Sequence, residues 1–362
     1  MIYHAIGTMS GSSMDGLDIA YCRLEETGGQ WQYEIVHADC IPFHEEWKNA
    51  LPNLTSLSAK DLMMAHTAFG RWMGEAILEF ISTHQLQYKV HLIASHGHTV
   101  FHDPAKGLSF QLGDGATIAA TTGLPVVSDL RNMDVALGGQ GAPIVPIGEK
   151  LLWKDFDYFL NIGGISNISI THPHRLAFDV CPANRVLNLL AQKLGKPYDE
   201  NGHEASIGTV HVRLLHELNA LDYYRQAPPK SLANEFGSEV IMNILQGYEI
   251  SVQDKLRTMV EHIVDQVERA LPSGLQTTDT TNQQMMVTGG GALNTFLIQC
   301  LQSRLQARQI DLIVPDSTLI QYKEALIMAL IGVLRWREES NVLQSVTGAS
   351  RDSVGGALWM GE

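Results

Sequence analysis

Cysteine is scarce in this chain: four in 362 residues, Cys22, Cys40, Cys181 and Cys300, with no Cys-x-x-Cys pair. So sparse a set excludes a disulfide-stapled scaffold and a thiolate zinc site, and it fits a reducing, cytoplasmic compartment. Basic residues are outnumbered, 25 Lys and Arg against 39 Asp and Glu, for a formal charge of −14. A sequence-independent grip on nucleic acid or on an anionic membrane needs a basic face, so neither partner is expected. A phosphorylated ligand stays open, because backbone N–H groups bind phosphate without lysine. Long hydrophobic runs are missing: the longest, Ala325 to Leu334, has ten residues, about half of a membrane crossing. The opening MIYHAIGTMSGSS has no basic region ahead of an apolar one, so no secretory signal is expected. Low-complexity tracts and charge runs are absent too, and neither half reads as disordered.

What the chain has in quantity is apolar residues (45%) and glycine (32 residues). At about 150 residues per domain its length predicts two domains, ample for two cores. An apolar strand, Ile2 to Ile6, leads into a glycine- and serine-rich turn, and a second strand follows from Leu17 to Leu24. Strand, turn, strand is a hairpin and not a P-loop. Ser58 is read as the N-cap of a helix whose stripe is Leu62, Phe69, Trp72, Met73, Ala76, Ile77 and Phe80. Val90 to Ala94 reads as a strand ending in Ser95-His96-Gly97-His98, and Val126-Val127 as another leading into Asp129-Leu130-Arg131. Gly138 to Pro143 is too glycine-rich for regular structure.

The hairpin theme returns at Tyr158 to Ile162, Gly163-Gly164-Ile165-Ser166-Asn167 and Ile168 to Thr171. Gly7 and Gly163 are 156 positions apart, which suggests a duplicated domain. Further on come an amphipathic helix through Leu256 to Val267, a strand Met285 to Val287 breaking at Gly289-Gly290-Gly291, and a helix from Ala292. A strand Ile310 to Val314 and an apolar helix Lys323 to Arg337 follow. Alternating strands and helices imply α/β layers.

Three glycine turns at strand ends, Gly7–Gly16, Gly163–Asn167 and Gly289–Asn294, point to a nucleotide. Glycine allows backbone to close on phosphate, as a side chain does not. There is no GxxxxGK[ST] and no GxGxxG opening a helix, which excludes a P-loop and disfavours a Rossmann fold. Four histidines, His91, His96, His98 and His102, crowd into twelve residues. No carboxylate–histidine helix accompanies them, so zinc is not expected.

GTMSGSSMDGLD, DLRNMDVALGGQGAPIVP, LNIGGISNIS, VTGGGALN and KEALIMALIGVL…SVTGAS, taken together, resemble the anhydro-N-acetylmuramic acid kinase family. That family belongs to the sugar-kinase/heat-shock-70/actin superfamily, and the resemblance runs in order over nearly the whole chain. It implies an α/β, two-lobed actin-like ATPase (ribonuclease H-like) fold with duplicated domains and a central ATP/sugar cleft. The lobes are expected at 1–130 plus 325–362, carrying the phosphate hairpin and sugar side, and at 131–324, carrying the base and adenosine side. The implied reaction uses ATP and Mg²⁺ to open the ring of a small anhydro-sugar and phosphorylate O6, for peptidoglycan recycling. A homodimer is implied by resemblance alone.

Residue by residue, Gly11, Ser12, Ser13, Met14, Asp15, Gly16, Leu17 and Asp18 match the phosphate hairpin, with Asp15 and Asp18 as Mg²⁺ candidates, directly or through water. Gly163, Gly164, Gly289, Gly290, Gly291 and Asn294 complete the expected nucleotide set. Asp179 matches the base, and Arg131 the arginine that meets the sugar's lactyl carboxylate. Asp134, Gln140, His98 and Glu324 are expected on the sugar side. The pattern around the base departs from the family's Phe-Asp-Thr-Gly-Pro-Gly-Asn: this chain reads Phe178-Asp179-Val180-Cys181-Pro182-Ala183-Asn184. Asn188, Glu149 and Ala233-Asn234-Glu235 also differ, at positions where the family has aspartate, histidine and Gly-Arg-Glu. A kinase for another sugar, or a non-catalytic ATP-dependent sensor, is the alternative that these departures leave.

Overall fold

The computed structural model describes residues 1–11, 14, 16–172, 175–228, 230–233, 235–272 and 282–361. They divide into two compact units: unit 1 is Met1–Lys154 with Tyr322–Glu362, and unit 2 is Asp155–Gln321. Unit 1 begins with strands β1 (Ile2–Ser10), β2 (Gly16–Thr27), β3 (Gln30–Pro42), β4 (Leu92–Asp103), β5 (Leu108–Leu112) and β6 (Val126–Ser128). Unit 2 holds β7 (Tyr158–Ile162), β8 (Ile165–Ile170), β9 (Leu176–Pro182), β10 (Gln283–Thr288) and β11 (Ile310–Ile313). The chain then returns to unit 1 with β12 (Ala357–Trp359).

The unit 1 sheet runs β12-β6-β4-β1-β2-β3, with β5 folded back on β4, and the unit 2 sheet runs β11-β10-β7-β8-β9. In unit 1, β1–β2 and β2–β3 are antiparallel while β1–β4 and β4–β6 are parallel. Unit 2 repeats this: β7–β8 and β8–β9 are antiparallel, β7–β10 and β10–β11 parallel. The duplication suggested by glycine spacing is therefore present as a repeated strand order.

Each sheet is buried by apolar helices. Ile6, Leu17 and Ile19 on one face of unit 1 pack in one core with Phe69, Met73 and Ile77 of the Ala59–Thr83 helix. Ser58 caps that helix, its hydroxyl accepting from the Asp61 N–H at 3.2 Å. On the opposite face lies the Ser317–Trp336 helix. A Cβ at Gly7 would fall on the Ala325 carbonyl oxygen and 2.6 Å from the Ala329 nitrogen. Gly332 in turn meets the Ala94 methyl. Gly7 thus serves helix–sheet approach from inside β1 and is not part of the phosphate turn that follows. The Ser317–Trp336 helix, at 20 residues, is long and apolar enough to cross a membrane, but most of it is buried in the protein. In unit 2 the Val252–Ala270 helix buries Leu256, Met259, Val260, Ile263, Val264 and Val267 in the core with Leu160 and Val287.

Two expectations change. Residues 131–154, expected with the second lobe, belong to unit 1, because Trp153 donates to the Tyr33 hydroxyl at 3.0 Å and Gly148 packs on Ile327. Residues 322–324 belong there as well. The helix expected from Ala292 starts at Thr295, since Asn294 caps it and Gly290–Leu293 forms a single 3₁₀ turn. Strands β3, β5 and β9 mix polar with apolar residues and lack the continuous apolar run that marks a buried strand, so none of the three is evident from the sequence.

Gly7→Ala is expected to destabilise the protein by at least about 2 kcal/mol, because backbone on both sides must separate to admit the methyl. The denaturation midpoint measures this; an unchanged midpoint would refute the close-packing account.

Candidate active site

Ligand groups in open α/β sheets gather at the C-terminal ends of parallel strands. In unit 1 those are the ends of β1 and β6 and the stretch of β4, Ser95 to His98, that lies beside the end of β1. Gly11 and Met14 lie in the turn after β1, where the Met14 N–H reaches the Gly11 carbonyl at 3.4 Å. Ser12, Ser13 and Asp15 lie outside the described residues. Gly16 is required by β3, since a Cβ there would lie 2.8 Å from Cys40 Sγ. Leu17 is wholly buried in the core, so only its main chain is available to a ligand. Asp18 is half-buried, and its charge adds to burial in pushing the Tyr322 phenol up. Mg²⁺ commonly takes one or two carboxylates and fills its shell with water and phosphate oxygens. Asp18 offers a carboxylate suited to that mode, and no cage of three His, Cys, Asp or Glu groups exists among the described residues.

His98 is bound to the Ser10 hydroxyl at 2.9 Å and kept below its ordinary pKa by burial. Arg131, just past β6, donates from Nε to His96 Nε2 at 2.8 Å and from Nη1 to the Gly141 carbonyl at 2.7 Å. Burial lowers its pKa to about 10, which leaves it charged at neutral pH, and Glu324 opposes that shift electrostatically. Glu324 follows Lys323, whose ammonium lies 3.6 Å from Glu149 in a buried pair. Glu149, one of the departures, is therefore matched by charge. Gln140 is exposed, with its N–H on the Thr347 carbonyl at 2.9 Å. Asp134 differs from its expected role. It is buried, one oxygen accepts from the Gly141 N–H at 2.7 Å, and the other accepts from the Thr347 hydroxyl at 2.7 Å. Its carboxylate shapes the 138–141 loop.

In unit 2 the Gly163-Gly164 turn leaves β7, and its carbonyls accept from the N–H groups of Asn184, Ala183 and Arg185. Those bonds tie the turn to the start of the Asn184–Gln192 helix. Asn184 Nδ2 also donates to the Ile162 carbonyl at 3.0 Å. Gly289, with φ of 79°, lies where a Cβ would be 2.8 Å from that same carbonyl. A Cβ at Gly290 would meet only Asn184 Nδ2, at 3.5 Å. Two of the three glycine turns thus meet, with side-chain-free backbone on both. The Thr288 hydroxyl beside them is buried without a hydrogen-bond partner among the described residues, as suits a site that receives a polar ligand. Asn294 Oδ1 accepts from the Leu297 N–H at 3.0 Å and so caps the next helix.

Asp179 lies on β9, not at a helix start. Its carboxylate accepts from the Leu232 N–H at 2.8 Å, its carbonyl accepts from the Tyr223 hydroxyl at 2.6 Å, and its N–H donates to the Lys230 carbonyl at 3.0 Å. Burial raises its pKa above the ordinary aspartate value, and the Leu232 N–H opposes that. Buried, and with no cation paired to it among the described residues, this carboxylate is more basic than an exposed one. Tyr223, Lys230 and Leu232, which frame it, are not evident from the sequence, since a backbone N–H carries no residue signal. His96 is the other omission: it reads as one of a histidine cluster until Arg131 is placed beside it. The departures Val180, Cys181 and Ala183 all point into the unit 2 core, so the bulk they add is taken up there.

Two copies of this five-stranded order, with glycine turns at the ends of parallel strands, define a protein of the actin-like ATPase fold, ribonuclease H-like in each unit. The chain belongs to the anhydro-N-acetylmuramic acid kinase family, whose profile matches residues 3–361. The anhydro-N-acetylmuramic acid kinase of Vibrio parahaemolyticus is 32% identical over 98% of this chain and 97% of its own. That of Sulfurimonas denitrificans is 30% identical over 98% of each chain. A solved structure, the activator of 2-hydroxyisocaproyl-CoA dehydratase from Clostridium difficile with bound ADPNP, is 15% identical with a TM-score of 0.42, over 90% of this chain and 93% of that one.

Asp134→Ala leaves the Gly141 N–H and the Thr347 hydroxyl without acceptors in a buried place. A loss of about 2 kcal/mol or more is expected in denaturant unfolding, against a change within about 0.5 kcal/mol for the exposed Gln140→Ala. Equal effects would refute the structural role of Asp134.

Proposed function

We propose that this protein is an ATP-dependent kinase that hydrolytically opens the 1,6-anhydro ring of 1,6-anhydro-N-acetylmuramic acid and phosphorylates O6, giving N-acetylmuramic acid 6-phosphate. The family match over residues 3–361 carries this reading, and the environment of Asp179 supports it. The product is a cell-wall sugar returned to metabolism, which fits peptidoglycan recycling.

In unit 2, backbone N–H groups of the 163–164 and 289–291 turns hold the nucleotide, the absence of side chains letting the main chain close on phosphate. In unit 1, the hairpin after β1 receives the transferring phosphoryl group. Asp18, with Asp15 of the same hairpin, would hold Mg²⁺, which when bound neutralises charge on the β- and γ-phosphates. Asp179 takes the proton from the water that adds to the anomeric carbon. As that C–O bond forms, the bond from the anomeric carbon to O6 breaks. O6 then takes the γ-phosphoryl group and ADP departs. The raised pKa of Asp179 suits this task, since a more basic carboxylate accepts a proton more readily. Arg131 receives the lactyl carboxylate through its unused N–H groups, while Glu324, His98 and Gln140 meet sugar hydroxyls.

Incubation with ATP, Mg²⁺ and the anhydro-sugar is expected to release ADP and a sugar 6-phosphate, seen by phosphorus NMR and mass spectrometry. Neither product, from folded protein, would sink the reading. Asp179→Asn should lower kcat by about 10² to 10⁴.

The pH profile has a defined sign. The base works deprotonated, so kcat/KM rises as pH climbs through its pKa. Because burial raises that pKa, the midpoint of the acid limb should lie above the ordinary aspartate value of about 3.9. A midpoint at or below that value in the wild type would argue against Asp179 as the titrating base.

A further inference from the structure

The manner in which Arg131 is held differs from that of the arginines clasped by carboxylates. Arg304 is surrounded by Glu261, Asp265 and Glu268, and Arg337 by Glu26 and Glu339. Arg131 has no ion-pair partner among the described residues; its two acceptors are a histidine ring and a main-chain carbonyl.

The ring is neutral, and its tautomer follows from its contacts. His96 Nδ1 lies 3.0 Å from the Gly97 carbonyl, which can only accept, so Nδ1 carries the proton. Nε2 then presents its lone pair to Arg131 Nε. Burial, with the Arg131 charge second, keeps His96 unprotonated down to a pKa of about 3. The second acceptor, the Gly141 carbonyl, is fixed from behind. Asp134 takes the Gly141 N–H, Thr347 donates to Asp134, and the Gln140 N–H binds the Thr347 carbonyl. A Cβ at the adjacent Gly139 would fall on Asp134 Oδ2.

A guanidinium has five N–H bonds. One on Nε and one on Nη1 are used here, which leaves one on Nη1 and two on Nη2. The remaining Nη1–Nη2 edge matches a carboxylate held by two parallel hydrogen bonds. Neutral acceptors fix the guanidinium without consuming its charge.

We propose that His96, with the Gly141–Asp134–Thr347 bracket, is a positioning and specificity device: it aims the free edge of Arg131 at the carboxylate of an acidic anhydro-sugar and keeps that cation unpaired until the substrate arrives. The inference rests on the reading above, that Arg131 meets the substrate carboxylate. His96 acts through Arg131, and it selects a carboxylate-bearing sugar over a neutral one of the same ring.

The test compares kcat and KM for 1,6-anhydro-N-acetylmuramic acid with those for 1,6-anhydro-N-acetylglucosamine, which lacks the lactyl group. His96→Leu removes the acceptor at similar volume. It should raise KM for the acidic sugar about tenfold or more, the size of a weakened charge-assisted contact, with KM for ATP unchanged and the neutral sugar little affected. His96→Gln restores an acceptor and should keep the preference within about threefold of wild type. His96→Glu also offers an acceptor, but its charge pairs with Arg131, so the preference should fall as in His96→Leu. If His96→Leu does not fold, the Gln and Glu variants decide: a preference retained in His96→Gln and lost in His96→Glu supports the proposal, and equal behaviour or the reverse order overturns it. Equal loss on both sugars in His96→Leu also overturns it. Arg131→Leu separates the two layers. Preference lost there but unchanged in His96→Leu overturns the role of His96 alone, whereas preference unchanged in Arg131→Leu overturns the reading of Arg131 and this proposal with it.

Discussion

The close approach of the Ser317–Trp336 helix to the unit 1 sheet is the constraint on which the rest of that unit depends. Helix and sheet meet with almost nothing interposed: Gly7 against the main chain at Ala325 and Ala329, and Gly332 against Ala94. A side chain at Gly7 has nowhere to go, so the helix position is set by missing atoms and not by interlocking bulk. From that seating follow the places of three consecutive residues. Tyr322 is brought within electrostatic range of Asp18, Lys323 to within 3.6 Å of buried Glu149, and Glu324 into the field of Arg131. A shift of the helix by one turn, about 5.4 Å, would break all three relations at once. The packing glycine in β1 therefore governs charges near the turn that follows it, although it touches no candidate ligand.

Much of this was legible in the sequence, and the part that was not has a common cause. The apolar stripe from Leu62 to Phe80, the strands after the glycine spacing of 156 and the cap at Ser58 all declare themselves through periodicity or local chemistry. Family motifs carried the candidate site residues. What stayed hidden were relations across distance. Asp134 and Arg131 sit three positions apart and look alike as polar candidates, yet one is spent on Gly141 and Thr347 while the other keeps free donors. The Leu232 N–H that tunes Asp179 is 53 residues away in sequence. Gly7 looked like a turn glycine because its neighbour on the other side, Ala325, lies far along the chain. Local pattern reports which face a residue occupies; it is silent on what has already claimed its hydrogen bonds.

The two charged groups with the clearest candidate roles share a physical arrangement. Asp179 is held by backbone N–H and not by lysine or arginine, and Arg131 is held by a neutral ring and a carbonyl. A direct salt bridge is the usual way to hold such a group, since an unpaired buried ion carries a desolvation penalty, and Glu324 acts on Arg131 only through its field. The penalty remains visible: burial shifts both pKa values toward the neutral form, upward for the acid and downward for the base. Holding them with dipoles fixes orientation while leaving the charge available. By contrast Arg304, ringed by three carboxylates, has its charge compensated and reads as a clasp of the helices that carry it.

The repeated sheet shows how one scaffold came to hold unlike chemistry. β4 and β10 occupy the same place in the strand order, parallel to the first strand of their unit. Beyond that shared position β4 runs on through His96, Gly97 and His98, whereas β10 ends at Gly289, Gly290 and Gly291. The third strands differ likewise, with Asp179 near the end of β9 and Cys40 near the end of β3. Strand pairing depends on main chain and on the apolar face, so residues at strand ends change without cost to the sheet. The same reasoning accounts for the altered Phe178–Asn184 segment. Val180, Cys181 and Ala183 are absorbed by the core, and Asp179 keeps its main-chain partners because those bonds are indifferent to its neighbours' side chains. Substitution beside Asp179 is thus tolerated so long as the strand keeps its bonds to Tyr223, Lys230 and Leu232.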